Sequence, residues 1–172
     1  MKSKITTLLI LAALIFFANA QSNYAAKGNY SQAITTNPLG LAFGLLNATY
    51  EQQLSSNNSF TVNGYYWTIT DWIGYGIGGS YRWYFDLFKT RQKPLEGFSV
   101  GAAINLNSWT WNGFVSAYDN GITIMIGGTA TNKWVWDGFA LEAGVSLGFP
   151  IVGLEGLNIS PFGLVGAIGY AW

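Results

Sequence analysis

Residues 74–85 alternate in character with a period of two. Tyr75, Ile77, Tyr81, Trp83 and Phe85 share one face, while Gly76, Gly78, Ser80 and Arg82 share the other. Period two is the repeat of a β-strand, whose successive side chains point to opposite faces. The pattern returns at 98–106, where Phe98, Val100, Ala102, Ile104 and Leu106 oppose Ser99, Gly101, Ala103 and Asn105. It returns at 139–149, with Phe139, Leu141, Ala143, Val145, Leu147 and Phe149 against Ala140, Glu142, Gly144, Ser146 and Gly148. At 122–136, Ile122, Ile124, Ile126, Trp134 and Trp136 oppose Thr123, Thr129, Thr131 and Lys133. The chain closes on Phe162, Leu164, Ile168, Tyr170 and Trp172, again large and apolar at alternate positions. The second face is too small and polar for the core of a soluble protein. Apolar surroundings for the first face make this the pattern of a membrane-spanning β-barrel.

Composition points the same way. Charged residues are 9% of the chain, where about a quarter is usual, and aromatics reach 17%. So few charges cannot cover a water-facing surface. Lys2 and Lys4 precede an uncharged run over 5–17, followed by Ala18-Asn19-Ala20 and Gln21. This is the form of a secretory signal peptide: a basic start, a short apolar segment and small residues for cleavage. Residues 1–20 are therefore expected to be removed, leaving a periplasmic N-terminal segment over 21–31 and a barrel over 32–172. Beyond the signal no apolar stretch suffices for a membrane helix, which leaves a closed barrel.

With no cysteine in the chain, disulfides, thiolate metal sites and lipid attachment at the cleavage site are excluded. Without Lys2 and Lys4 the mature chain is slightly acidic and has no basic stripe, so nucleic acid is not an expected partner. A mature length of about 150 residues suits one domain.

Eight strands are expected, over 32–43, 45–54, 59–69, 74–86, 96–109, 121–136, 138–149 and 160–172. Leu39, Leu41 and Phe43 share a face before Gly44, which can turn the chain back; a single strand through Gly44 is the alternative. An even number of crossings, the rule for single-chain bacterial barrels, favours two strands there. The polar cluster at 55–59, the connection at 89–94 and Asp137-Gly138 then face the periplasm. Loops at 111–121 and 150–160 face outward.

Asn37-Pro38-Leu39-Gly40-Leu41 with Tyr50-Glu51, the run from Gly76-Ile77-Gly78-Gly79 through Ser80-Tyr81-Arg82-Trp83-Tyr84-Phe85, Gly97-Phe98-Ser99-Val100-Gly101 and Gly169-Tyr170-Ala171-Trp172 carry a family resemblance. The chain resembles the small, mostly uncharacterised outer-membrane β-barrel proteins of Gram-negative bacteria. Its architecture is similar to outer membrane protein X and to the membrane domain of outer membrane protein A. The resemblance implies an all-β, eight-stranded antiparallel up-and-down transmembrane barrel in the cell outer membrane, preceded by a cleaved signal peptide. It also implies recognition of Trp172 by the barrel-assembly machinery, and it brings no established activity.

An eight-stranded barrel is just wide enough for its own side chains to fill. Alternation places Glu51, Arg82, Lys133 and Glu142 inside, two of each sign, where they are expected to pair in a network with Asn47, Asn63, Asn105, Ser80 and Ser146. A polar pore gated by these charges is the alternative. Trp83, Trp134, Trp136, Tyr170 and Trp172 are expected to anchor the barrel at the inner interface, and Trp67, Trp72, Trp109 and Trp111 to form a second belt at the outer one.

The chain has no histidine to move protons near neutral pH. Gly76-Ile77-Gly78-Gly79 lies within strand alternation and has no following lysine-hydroxyl pair, so it is read as relief of crowding inside the barrel. The expectation is thus a structural or surface-interaction protein with no catalytic residues, no metal and no cofactor. Its partners would be outer-membrane lipid and lipopolysaccharide, the assembly machinery during insertion, and an unnamed partner at the external loops. A small porin-like channel for ions or solutes and a soluble secreted ligand-binding barrel are the alternatives.

Overall fold

The computed structural model describes residues 30–69, 71–85, 95–113, 120–153 and 160–172. Residues 1–29, 70, 86–94, 114–119 and 154–159 lie outside the described residues, and with them the expected signal peptide, most of the N-terminal segment and the connection at 89–94. Eight strands and one short helix follow in order: β1 (Gln32–Thr36), α1 (Pro38–Ala42), β2 (Leu45–Gln53), β3 (Asn58–Ile69), β4 (Trp72–Phe85), β5 (Gly97–Trp111), β6 (Gly121–Trp136), β7 (Phe139–Val152) and β8 (Phe162–Ala171). Each strand pairs antiparallel with the next, and β1 pairs with β8, closing an up-and-down barrel.

The stagger follows from the register. The path from Ala33 runs through Glu51, Thr61, Ser80, Ala103, Gly127 and Gly148 to Pro161, ten residues from Ala171, the direct partner of Ala33. Eight strands with that stagger tilt by about 40° to the barrel axis.

Alternation sorts the faces as the strand pattern requires. Large apolar side chains such as Ile77, Ile104, Leu147 and Phe162 are exposed on the outside, while Thr35, Ser59, Thr61, Ser99 and Thr131 are buried inside. One end of the barrel carries Tyr30, the turn at 54–57, Asp137-Gly138 and Trp172. Both residues of the Asp137-Gly138 reversal have positive φ, 47° and 86°, the geometry of the tightest hairpin turns. At this end Ala33, Tyr84, Leu95, Val135, Ala140 and Ala171 form a small apolar core with Tyr30 against it. The opposite end carries α1.

The first expected strand is corrected. It stops at Thr36, and 38–42 form one helical turn. Asn37 and Pro38 account for this: the Asn37 side chain accepts from the Gly40 N–H at 2.9 Å, and Pro38 has no N–H to give a ladder. Leu39, Leu41 and Phe43 are therefore exposed on the helix and its exit rather than aligned along a strand. Gly44 then reverses the chain at φ 77°, where a Cβ would stand 2.5 Å from the Thr68 carbonyl oxygen.

Other strands run beyond their expected limits. β7 continues through Pro150 to Val152, shortening the expected 150–160 loop, with a register shift opposite Ile124 and Met125. Pro150 stands two residues after Gly148, so its nitrogen faces the β8 side as the Gly148 N–H does, past the last described pair of that ladder.

Candidate functional site: the barrel interior

The structure brings Glu51, Arg82, Lys133 and Glu142 together from β2, β4, β6 and β7. Lys133 and Glu142 are directly opposed across the β6–β7 ladder. Arg82 Nη1 lies 2.9 Å from Glu142 Oε1 and 3.3 Å from Glu51 Oε2. Lys133 Nζ lies 3.2 Å from Glu142 Oε2 and also contacts Glu51 Oε2. Each carboxylate thus touches both cations, and the quartet is neutral. Ser59 and Tyr84 complete the shell of Glu51, both donating to Oε1, Tyr84 at 2.7 Å. Lys133 and Glu51 are each 1% exposed, so the layer leaves no water-wide gap around its centre. Such a charge layer suits a plug: removing charges from water is costly, and reciprocal pairing offsets that cost.

Tyr84 and Ser59 were not among the expected residues, though Tyr84 is in phase with Arg82 and could have been found that way. The expected polar members bond elsewhere. Asn47 accepts from the Asn37 N–H at 2.8 Å, and Ser80 pairs with Thr61 at 2.7 Å. Among the described residues, Asn63, Asn105 and Ser146 make no hydrogen bond to the quartet. Asn105 instead lays its Oδ1 over Gly78, at the place a Cβ would need, so the β4 glycines do relieve crowding.

The tryptophans divide by face. Trp83, Trp134 and Trp136 are exposed on the outer surface towards the end that carries Tyr30 and Trp172. Tyr81 packs edge-on to Trp83 at 4.7 Å, and Trp136 stacks on Phe139 at 6.3 Å. Tyr170 and Trp172 share that end, half-buried, with the Tyr170 ring against Gly138.

The expected second belt is corrected: Trp67, Trp72, Trp109 and Trp111 point into the barrel. Trp72 and Trp109 are buried, and Trp109 Nε1 donates to Thr123 Oγ1 at 3.1 Å. Trp67 packs on Trp109 at 6.1 Å and Trp111 on Trp72 at 5.2 Å. The Trp109 ring occupies the space left by Gly74, whose Cβ would fall 2.4 Å from it. Their phase with Asn107 and Asn63 requires this orientation; position along the strand suggested the other.

A closed eight-stranded antiparallel barrel with an apolar exterior and four charged side chains gathered inside has the fold of the outer-membrane β-barrels. Two solved structures share it. The chain is similar to the N-terminal β-barrel domain of Pseudomonas aeruginosa OprF, with a TM-score of 0.53 and 13% identity over 85% of this chain and 100% of that one. It is similar to the Yersinia pestis outer membrane protein Ail, with a TM-score of 0.51 and 9% identity over 84% of this chain and 100% of that one. No protein-family model matches the chain, and no curated protein matches it in sequence.

Proposed function

We propose that this chain is an integral outer-membrane protein with a structural or surface-interaction role, closed to conduction and without catalytic activity. One observation carries the reading. Among the described residues, every ionised side chain within a strand belongs to the inward quartet, and none faces out. An exterior of exposed Ile, Leu, Phe and Trp without a charge suits hydrocarbon and would be insoluble in water. No described helix is long and apolar enough to cross a membrane, so the strands would make the crossing.

Residues 1–20 would direct export and be cleaved, leaving 21–31 in the periplasm. Outer-membrane lipid and lipopolysaccharide would surround the barrel, and the assembly machinery would meet the terminal strand during insertion. Trp83, Trp134, Trp136, Tyr170 and Trp172 would sit at the periplasmic interface, where indole and phenol rings are favoured. The loops at the α1 end would then be the surface offered to a partner.

Fractionation tests the proposal. The mature chain is expected in the outer-membrane fraction and to resist extraction by carbonate. Recovery from the soluble periplasm without detergent would refute it. Planar-bilayer recordings of refolded protein address the channel alternative, and the plug predicts no steps above background.

A further inference from the structure

Three asparagines in the chain precede a glycine, Asn63, Asn112 and Asn120, and Asp137 precedes Gly138. These pairs share one chemistry. The backbone nitrogen of the second residue can attack the side-chain carbonyl carbon of the first, and glycine shields that nitrogen least because it has no Cβ. What the sequence leaves equal, the fold separates.

A nitrogen held in a backbone hydrogen bond is kept from attack until that bond opens. Thr68 N–H donates to Gly44 O, so the even-numbered residues of β3 turn their N–H and C=O to β2, and Gly64 bonds its direct partner Ala48. On β7, Gly148 N–H donates to Pro161 O, which turns its β6 partner Gly127 away from β7 and towards β5. Gly121 has the same phase as Gly127 and bonds Trp109. Asn120 is restrained a second time, because its Oδ1 accepts the Trp111 N–H at 2.7 Å. Gly138 N–H donates to Tyr30 Oη at 3.0 Å.

Asn112-Gly113 has neither restraint. It lies just past the end of β5 at Trp111, outside every ladder, and Asn112 is exposed. Asn112 N–H donates to Asp71 O at 2.7 Å, which ties this backbone to the β3–β4 turn. The Asn112 side-chain amide and the Gly113 N–H meet no hydrogen-bond partner among the described residues.

We propose that Asn112 is a site of spontaneous modification by water. The Gly113 nitrogen bonds to Asn112 Cγ, the Cγ–Nδ2 bond breaks, and ammonia leaves with the Gly113 amide proton. Water then opens the cyclic imide at either carbonyl and leaves an aspartyl or an isoaspartyl residue. Nucleophile and carbonyl sit on adjacent residues, so the step is intramolecular and needs no enzyme or cofactor. Among the described residues of the α1 end, Asp71 is the only charged side chain. Conversion of Asn112 places a second negative charge beside it, so an aged molecule offers a more acidic rim than a new one.

The test uses the full mature chain folded in detergent micelles, its fold checked by heat-modifiable migration, and is independent of the membrane reading. The protein is aged at neutral pH in water enriched in heavy oxygen, then digested in ordinary water. Mass spectrometry reads the label that each new carboxylate has taken up. Asn112 is expected to convert at least about ten-fold faster than Asn63 and Asn120, whose glycine amides must first leave a ladder. In urea the unfolded chain is expected to convert all three at similar rates. A side chain at 113 would stand 2.4 Å from the Trp111 ring, so the control is placed at 112. Asn112→Gln, whose longer side chain disfavours the small ring, should remove the label from that peptide. Equal rates at the three sites in the folded chain, the same preference in urea, or label persisting in the Asn112→Gln peptide would overturn the site.

Discussion

Lys133 illustrates how tightly single residues are coupled in this interior. Its ammonium group serves both Glu51 and Glu142, so Lys133→Met leaves two buried carboxylates sharing Arg82. The expected cost is about 3–5 kcal/mol, read from urea unfolding in vesicles followed by heat-modifiable migration. Lys133→Met with Glu142→Gln restores neutrality and should cost less than the two single changes together, by about 0.5–3 kcal/mol in a double-mutant cycle. Gly74→Ala would press a methyl group into the Trp109 ring 2.4 Å away and is expected to cost about 1–3 kcal/mol in the same assay. Alternation alone was enough to put Glu51, Arg82, Lys133 and Glu142 on the small-residue face. Which cation meets which carboxylate was not legible, because it depends on how far the strands are staggered around the closed barrel. The same phase argument, applied to Trp67 and Trp109, would have turned them inward.

At the level of elements, the strands were the most legible part of the fold and the start of the barrel the least. Residues 39, 41 and 43 present the period of a strand, yet Asn37 and Pro38 impose a helical turn on them. A local cap thus prevailed over a weak pattern, although β2 and β8 both reach beyond Thr36 and offer ladder positions on either flank. If that is the cause, Asn37→Val with Pro38→Thr should lengthen β1, and the amides of Leu164 and Gly166 should exchange more slowly with deuterium. Unchanged exchange would show that the capping pair does not end the strand. Gly44→Ala should cost more than about 1 kcal/mol, since alanine meets both the left-handed backbone penalty and the Thr68 carbonyl.

For the molecule as a whole, the exterior sets the solvent it requires. Ile77 lies mid-strand on the outer face, and Ile77→Arg is expected to cost about 2–4 kcal/mol of folding free energy in vesicles if that face meets the bilayer midplane. Equal stability of the two proteins would place Ile77 near an interface or in water. Trp172→Asp should lower the yield of folded protein in the outer membrane, and unchanged yield would remove the terminal aromatic from the assembly argument. The brevity of β1 also bears on how such a chain becomes a barrel. Seven of the eight ladders join neighbours in sequence and can form as hairpins, beginning from turns as tight as Asp137-Gly138. The eighth must bring the two ends of the chain together, and it does so through four residue pairs. The longest loop in the molecule is thus closed by a ladder of four pairs, no longer than any other in the barrel, so closure should be the last event of folding and the first to fail on unfolding.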